Sequence, residues 1–180
     1  MILRTPRLVL RSWRETDRAA FGLLNADPVA TWDLGGPLDR EQADAKFDRY
    51  VAAFKQHDFG RWAIEDTRGS FLGYAGIMPS PAEHPLGPHV EIGWRLARAV
   101  WGQGYATEAA KAALDDGFTR AGLTEVLTYT ASDNARSQAV MQRLNLRRDP
   151  SRDFTWPSDG RIWHGLVWIA AASDISLTAR

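Results

Sequence analysis

The sequence predicts a single α+β domain, and three observations predict it. Short apolar runs rich in strand formers recur along the chain, and they fall in an antiparallel-looking order with turn chemistry between them. Longer stretches between and after them carry apolar residues at helical spacing. A chain of 180 residues is long enough for one sizeable core and short for two, and no linker, repeat or low-complexity segment divides it, so residues 1–180 are read as one domain.

Arg7 to Arg11 is the first predicted strand. Trp13 to Asp17 leads into a helix carrying Ala20, Phe21, Leu23 and Leu24, which Asn25-Ala26-Asp27-Pro28 stops because a proline restricts the residue before it. After the loop Gly35-Gly36-Pro37, Asp39 is placed to cap a long helix running to about Gln56. Ala43, Phe47, Tyr50, Val51 and Phe54 form its apolar stripe. Three strands follow, Arg61 to Glu65, Phe71 to Met78 and His89 to Leu96, the first two joined by the hairpin turn Asp66-Thr67-Arg68-Gly69. Four prolines between Pro79 and Pro88 forbid regular structure there and make a loop.

A helix from about Gly104 to Ala121 presents Ala106, Ala109, Ala110, Ala113, Leu114 and Phe118, side chains small enough for it to lie close against a sheet. Leu123 to Ala131 is the next strand. Asp133 or Asn134 then caps a helix with Val140, Met141 and Leu144, and Asn145 suits its left-handed end. Ile162 to Ala171 is the last strand.

Composition narrows the function classes. The 22 basic and 22 acidic side chains cancel, which argues against a broad nucleic-acid surface. There is no cysteine, so disulfides, thiolate metal sites and a cysteine nucleophile are excluded. His57, His84, His89 and His164 lack metal-ligand spacing, and no metal is expected. No run of about 18 apolar residues spans a bilayer, and Met1 to Arg7 has no apolar signal core, so the expectation is a cytoplasmic protein without a membrane partner.

The segment Trp101-Gly102-Gln103-Gly104-Tyr105-Ala106-Thr107-Glu108-Ala109 carries the chemistry. It follows a strand and opens a helix, with small residues at alternate positions. Unpaired N–H groups and the positive end of the helix dipole then converge on one spot, an anion site suited to a phosphate-bearing ligand. A dinucleotide fold is disfavoured, because the loop comes late, without a βαβ unit or an acidic residue at the right distance.

Taken with Thr5-Pro6-Arg7-Leu8-Val9-Leu10-Arg11, Gly73-Tyr74-Ala75-Gly76-Ile77, Glu91-Ile92-Gly93-Trp94-Arg95-Leu96 and Asn134-Ala135-Arg136-Ser137, this segment resembles the GCN5-related N-acetyltransferases (GNAT). Within them it is most similar to the RimJ/RimL-like branch that acetylates ribosomal-protein N-termini, with its small-molecule relatives. The resemblance spans nearly the whole chain. It implies a GNAT fold: a mixed, mostly antiparallel sheet of six to seven strands with about four helices on both faces, splayed between the fourth and fifth strands. It implies acetyl-CoA as co-substrate, a primary amine as acceptor, and transfer in a ternary complex; dimers are common among such proteins, so a homodimer is an allowed state.

The resemblance also assigns residues. The pyrophosphate loop maps onto Trp101, Gly102, Gln103, Gly104, Tyr105, Ala106 and Thr107, with Trp101 standing where Gln or Arg is usual. Trp94, Arg95 and Leu96 would pair their backbone with the pantetheine arm, on a strand that carries a bulge in the family. Asn134 matches the asparagine that bonds the pantetheine, and Ser137 a serine that meets the thiolate or the cofactor. The family's tyrosine acid falls on Met141, which has no transferable proton.

Among candidates for the base, Glu91 comes first, since alternate strand residues share a face and burial there would raise its carboxyl. Its competitors are an ion pair with Arg61 or Arg95 and, as in many members of the resembled family, deprotonation through a water chain. Tyr129 reads as pocket wall. Trp32 and Asp33, in the segment that borders the acceptor in the resembled family, read as hydrophobic packing or as an aromatic wall with a carboxylate that suits a cationic amine. His84 and His89 read as surface-loop histidines, either of which could reach an acceptor, and Glu108 as a first-turn acid favoured by the helix dipole. The remaining alternative in function is a non-catalytic acyl-CoA-binding module that senses the donor.

Overall fold

The computed structural model describes residues 1–33, 35–158 and 161–175. Its sheet runs β1 (Ile2–Arg4), β2 (Leu8–Arg11), β3 (Arg61–Asp66), β4 (Phe71–Pro79), β5 (Val90–Leu96), β6 (Glu125–Thr130), β9 (Arg161–Ala171) and β7 (Arg147–Arg148), with β8 (Phe154–Ser158) paired to β9. The helices are α1 (Arg18–Ala26), α2 (Pro28–Thr31), α3 (Arg40–His57), α4 (Tyr105–Thr119), α5 (Ala135–Arg143) and α6 (Ala172–Ile175).

This is the predicted α+β architecture with short strands added at its margins, for β1, β7 and β8 are too short or too polar to announce themselves by periodicity. Every neighbouring pair is antiparallel except β5 and β6. Those two meet in parallel, at Glu91 and Leu127. No further β5–β6 pair follows, and on that side of β5 no strand pairs Gly93 to Leu96 among the described residues. The expected bulge on β5 is not there: β5 runs in unbroken register with β4, and the shift falls between Ile64 and Glu65 of β3.

One face of the sheet is covered by α1 and α3, whose Phe21, Phe47 and Tyr50 pack with Leu24, Ala30 and Tyr74. The other is covered by α4, which sets Ala109, Ala110, Ala113 and Leu114 among Trp62, Ile64, Ile77 and Ile92. Burying such side chains is worth about 1.5–3 kcal/mol each for the large aliphatics and aromatics, so all three helices are fixed firmly against the sheet.

The local signals hold where they were strongest. Asp39 accepts from the Gln42 N–H at 2.8 Å while Gln42 returns a bond to the Asp39 N–H at 3.0 Å, a reciprocal capping box. Asn145 is left-handed with φ 54°. Asp27 does more than stop α1, because its carboxylate caps α2 with Pro28 in the first turn. Among the described residues no helix is long and apolar enough to cross a membrane.

Candidate active site

The chain leaves β5 at Leu96, passes through a single 3₁₀ turn (Arg98–Val100) and enters α4 through two left-handed glycines, Gly102 at φ 77° and Gly104 at φ 79°. Gly104 is the N-cap of α4 and brings no side chain to its first N–H groups. A Cβ at Gly102 would meet nothing within 4 Å, so no neighbouring atom crowds the turn at that point. The Thr107 hydroxyl is buried there without a partner. An orphaned donor beside uncapped helix N–H groups is the donor set that a pyrophosphate satisfies.

The position of this turn is held from outside. The Glu108 carboxylate accepts from the Thr5 hydroxyl at 2.6 Å, the Arg7 N–H at 3.0 Å and the Arg7 Nε at 2.7 Å. Arg7 in turn donates to the Gln103 carbonyl at 2.9 Å. Burial pushes the Glu108 carboxyl up, but these donors outweigh it and hold it below its ordinary value. Thus Thr5-Pro6-Arg7 and Glu108, distant in sequence, form one clamp on the loop.

A cavity of about 570 Å³ opens from the turn. Trp94, Arg95 and Leu96 line it, as do Trp101, Gly102, Gln103, Gly104, Tyr105, Ala106 and Thr107, together with Asn134 and Ser137. The structure therefore gathers every predicted donor-binding position around one space, with the unpaired edge of β5 along its side. Arg136 and Arg143 add positive charge to the wall, Arg136 lying 4.4 Å from the Trp101 ring centroid.

Asn134 is the N-cap of α5: its Oδ1 accepts from the Ser137 N–H at 3.1 Å. Its Nδ2 donates to Asp33 at 2.5 Å. Asp33 follows α2, lines the same cavity, and faces Arg95 across 4.0 Å. Burial raises its carboxyl above the ordinary value against the opposing pull of Arg95 and the bond from Asn134. Arg95 gives Nη1 to the buried Asn25 at 3.2 Å, and Lys46 donates to the same Asn25 oxygen at 3.0 Å. The sequence signals for Asp33 are its place before a glycine pair and, through the resemblance, in the segment that borders the acceptor; its contacts with Asn134 and Arg95 are visible only in the structure.

Glu91 stands elsewhere. Its Oε1 takes the Arg61 guanidinium at 2.5 Å, and its Oε2 accepts the Tyr129 hydroxyl. Arg61 crosses the sheet through glycines, donating to the carbonyls of Gly76 and Gly93, and a Cβ on Gly93 would sit 3.0 Å from its guanidinium. Glu91 is not among the residues that line the cavity. Of the two readings of Glu91, candidate base and ion-pair partner, the geometry shows the ion pair with Arg61, and both carboxylate oxygens are engaged. Burial and the neighbouring Glu91 charge push the Tyr129 phenol well up, so it remains a donor.

The histidine expectation is also overturned. His84 is 5% exposed, its ring 4.8 Å from Tyr129 and His89 and 4.7 Å from Phe154 and Trp156. Its Nδ1 accepts from the Leu86 N–H at 3.1 Å, which burial favours by lowering the imidazole to about 4. The β8–β9 hairpin closes over the proline loop and supplies this cage, a pairing invisible to local sequence. Met141 is 1% exposed and packs as core. Among the described residues no group of three or more His, Asp or Glu is placed to hold a metal.

Comparison with known proteins agrees with this geometry. A family model for the acetyltransferase (GNAT) domain matches residues 7–147. The uncharacterized protein YkkB of Bacillus subtilis (strain 168) is 34% identical over 146 residues, covering 80% of this chain and 84% of that protein. An acetyltransferase from Agrobacterium tumefaciens str. C58 superposes with a TM-score of 0.80 at 31% identity, covering 94% of each chain. At 16% identity, the spermidine N-acetyltransferase from Vibrio cholerae in complex with CoA and spermine shares the fold, with a TM-score of 0.75 over 94% of this chain and 98% of that one.

Proposed function

This chain belongs to the GNAT acetyltransferase family, and from that premise we propose that it transfers the acetyl group of acetyl-CoA directly to a primary amine in a ternary complex. The observation that carries the proposal is the single cavity that unites the uncapped start of α4 with the unpaired edge of β5. The first suits two phosphates; the second suits an extended arm whose amides need backbone partners. Acetyl-CoA carries both, joined in that order.

In the reaction the ammonium first gives up a proton, and the nitrogen lone pair then forms a bond to the thioester carbonyl. Collapse breaks the carbon–sulfur bond, and the second nitrogen proton ends on the departing sulfur. No acyl-enzyme through cysteine exists in a chain without cysteine. With Met141 in the core, the acid role falls to Ser137, whose position one turn into α5 and on the cavity wall suits a donor to the sulfur. Asn134 keeps a second Nδ2 hydrogen beyond the one given to Asp33, enough to hold an arm carbonyl.

The acceptor is a protein N-terminal amine or a small-molecule amine, the range of the RimJ/RimL-like branch and its relatives, in a cytoplasmic protein that acts alone or as a homodimer. Incubation with acetyl-CoA and a panel of peptides and small amines, read by mass spectrometry, tests the proposal: acetylated product supports it. Donor binding without transfer to any amine selects the second reading, an acyl-CoA sensor, which the loss of the tyrosine acid at Met141 favours.

A further inference from the structure

Between the sheet and the helices α1 and α3, positive charge is gathered without enough negative charge to answer it. Arg61, Arg95 and the half-buried Lys46 converge around the buried rings of Tyr50 and Tyr74. Arg61 is met by Glu91. Arg95 stops 4.0 Å from Asp33, and its Nη2 is buried without a hydrogen-bond partner. Lys46 and the Arg95 Nη1 both donate to one neutral atom, the Asn25 Oδ1, at 3.0 Å and 3.2 Å. Among the described residues no carboxylate pairs with Lys46. Cations held by a shared amide, away from water, leave a deficit of negative charge that the interior screens poorly.

We propose that Tyr74 supplies this charge: its phenol ionises inside the fold as the counter-ion of Lys46 and Arg95, and so acts as an alkaline switch behind the wall of the donor cavity. The inference rests on the acetyltransferase reading only in taking CoA as the ligand of that cavity.

The geometry favours Tyr74 over its neighbour. Lys46 and Tyr50 both bond to the Tyr74 oxygen, and donors aimed at a phenol oxygen stabilise its anionic form. The Lys46 nitrogen stands 5.5 Å from the Tyr74 ring centroid and 5.8 Å from that of Tyr50, and the two rings meet edge to face at 5.2 Å. Burial alone would push the Tyr74 phenol up, but Lys46 and Arg95 outweigh it and bring it down to about 8. For Tyr50 burial acts first and the Tyr74 charge adds to it, so that phenol is pushed well up and remains a donor.

Every element packed around Tyr74 contributes to the balance. From α3 come Lys46 and Tyr50, from β5 Arg95, from β3 Arg61, and from α1 the neutral Asn25. Burial, together with Arg95 and Arg49, holds the Lys46 ammonium below its ordinary value, while Tyr74 pulls the other way. Asp33 faces Arg95 from its cavity side. The step itself is the loss of one proton: Tyr74 gives it to hydroxide, forming water, and the phenolate stays between the two cations. Because Arg95 lines the donor cavity, the new negative charge offsets part of the attraction felt by an anionic donor.

The test follows the phenol first and the donor second. Wild type, Tyr74→Phe and Lys46→Met are titrated from pH 6.5 to pH 10 by tyrosinate absorbance, with near-ultraviolet circular dichroism confirming the fold. Of the four tyrosines, one is expected to ionise in wild type with a midpoint of about 8. That step is expected to be absent from Tyr74→Phe and to move up by at least about one pH unit in Lys46→Met. If Tyr74→Phe does not fold, the shift in Lys46→Met decides alone. Desulfo-CoA, which has no thiol to titrate, is then bound calorimetrically at pH 7 and pH 9. Wild type is expected to lose about threefold in affinity between them, and Tyr74→Phe to keep the same affinity at both. No phenol step below pH 9 in folded wild type, the same step in Tyr74→Phe, or an equal fall of affinity in both proteins overturns the proposal. A wild type that shows the Tyr74 step and binds no desulfo-CoA at either pH sinks the acetyltransferase reading and leaves the ionisation of Tyr74 standing.

Discussion

Two regions of the molecule are built in opposite ways. At the start of α4 the groups left open are backbone N–H groups, and their arrangement is set by Gly102 and Gly104 within a few residues of chain. Where β5 meets β6, outside the cavity's lining, the groups are side chains drawn from β3, β5, β6, the proline loop and the β8–β9 hairpin: Arg61, Glu91, Tyr129, His84 and Trp156. A backbone site tolerates change in the surrounding side chains and fails when its dihedrals change. A side-chain cluster behaves the other way round, failing when one member leaves the others unpaired.

The sharpest way to break this comparison is at Glu91. In Glu91→Gln the buried Arg61 loses its counter-charge, and stability is expected to fall by about 3 kcal/mol in urea unfolding, near the lower end for breaking a buried pair because Glu91 is partly exposed. A variant that unfolds like wild type but has lost turnover would return the base role to Glu91. Gly104→Val strikes the other region, forcing a β-branched residue into φ 79°. CoA affinity is expected to drop about 100-fold, or about 2.7 kcal/mol, by isothermal titration, together with a stability loss of about 1–2 kcal/mol.

His84 separates the two regions by pH. Its imidazole falls from the ordinary 6.5 to about 4 on folding, so between those values the unfolded chain binds the extra proton. Its contribution is fully present above pH 6.5 and is lost as pH falls toward 4, at up to ~1.4 kcal/mol per pH unit. Unfolding of wild type and His84→Phe at pH 7 and pH 5 measures this; the variant should show a shallower decline.

Glu108→Gln releases Arg7 and should weaken CoA about tenfold while leaving amine affinity alone. An equal loss for both ligands would show that donor and amine binding are mechanically one. Met141→Leu is expected to change stability by less than about 1.5 kcal/mol and turnover not at all, as a volume-conserving swap in the core. A large drop in turnover would mean that this position still serves the chemistry.

How much could be read without the structure follows the same division. Asp39 with Gln42, Asn134 with Ser137, Asn145 and the two loop glycines each act on backbone within four residues, and their local chemistry is already complete in the sequence. The long strands and helices were legible because their apolar periodicity spans several turns or pleats. His84 was misread because exposure is a property of what folds over a loop, and the β8–β9 hairpin that covers it lies some seventy positions away in the chain. For Glu91 the sequence left a base and an ion pair with Arg61 or Arg95 open; the choice of Arg61 depends on packing across three strands, where Gly93 leaves room for its guanidinium.

By itself, then, the sequence determined the α+β order of elements and the phosphate cradle, since both are written in spacings along one stretch of backbone. Only the tertiary structure decided which carboxylate faces the cavity. Asp33 and Glu91 carry the same functional group, and what separates them is long-range packing: Arg61 and Tyr129 hold Glu91 beside β6, while Asn134 and Arg95 hold Asp33 on the cavity wall.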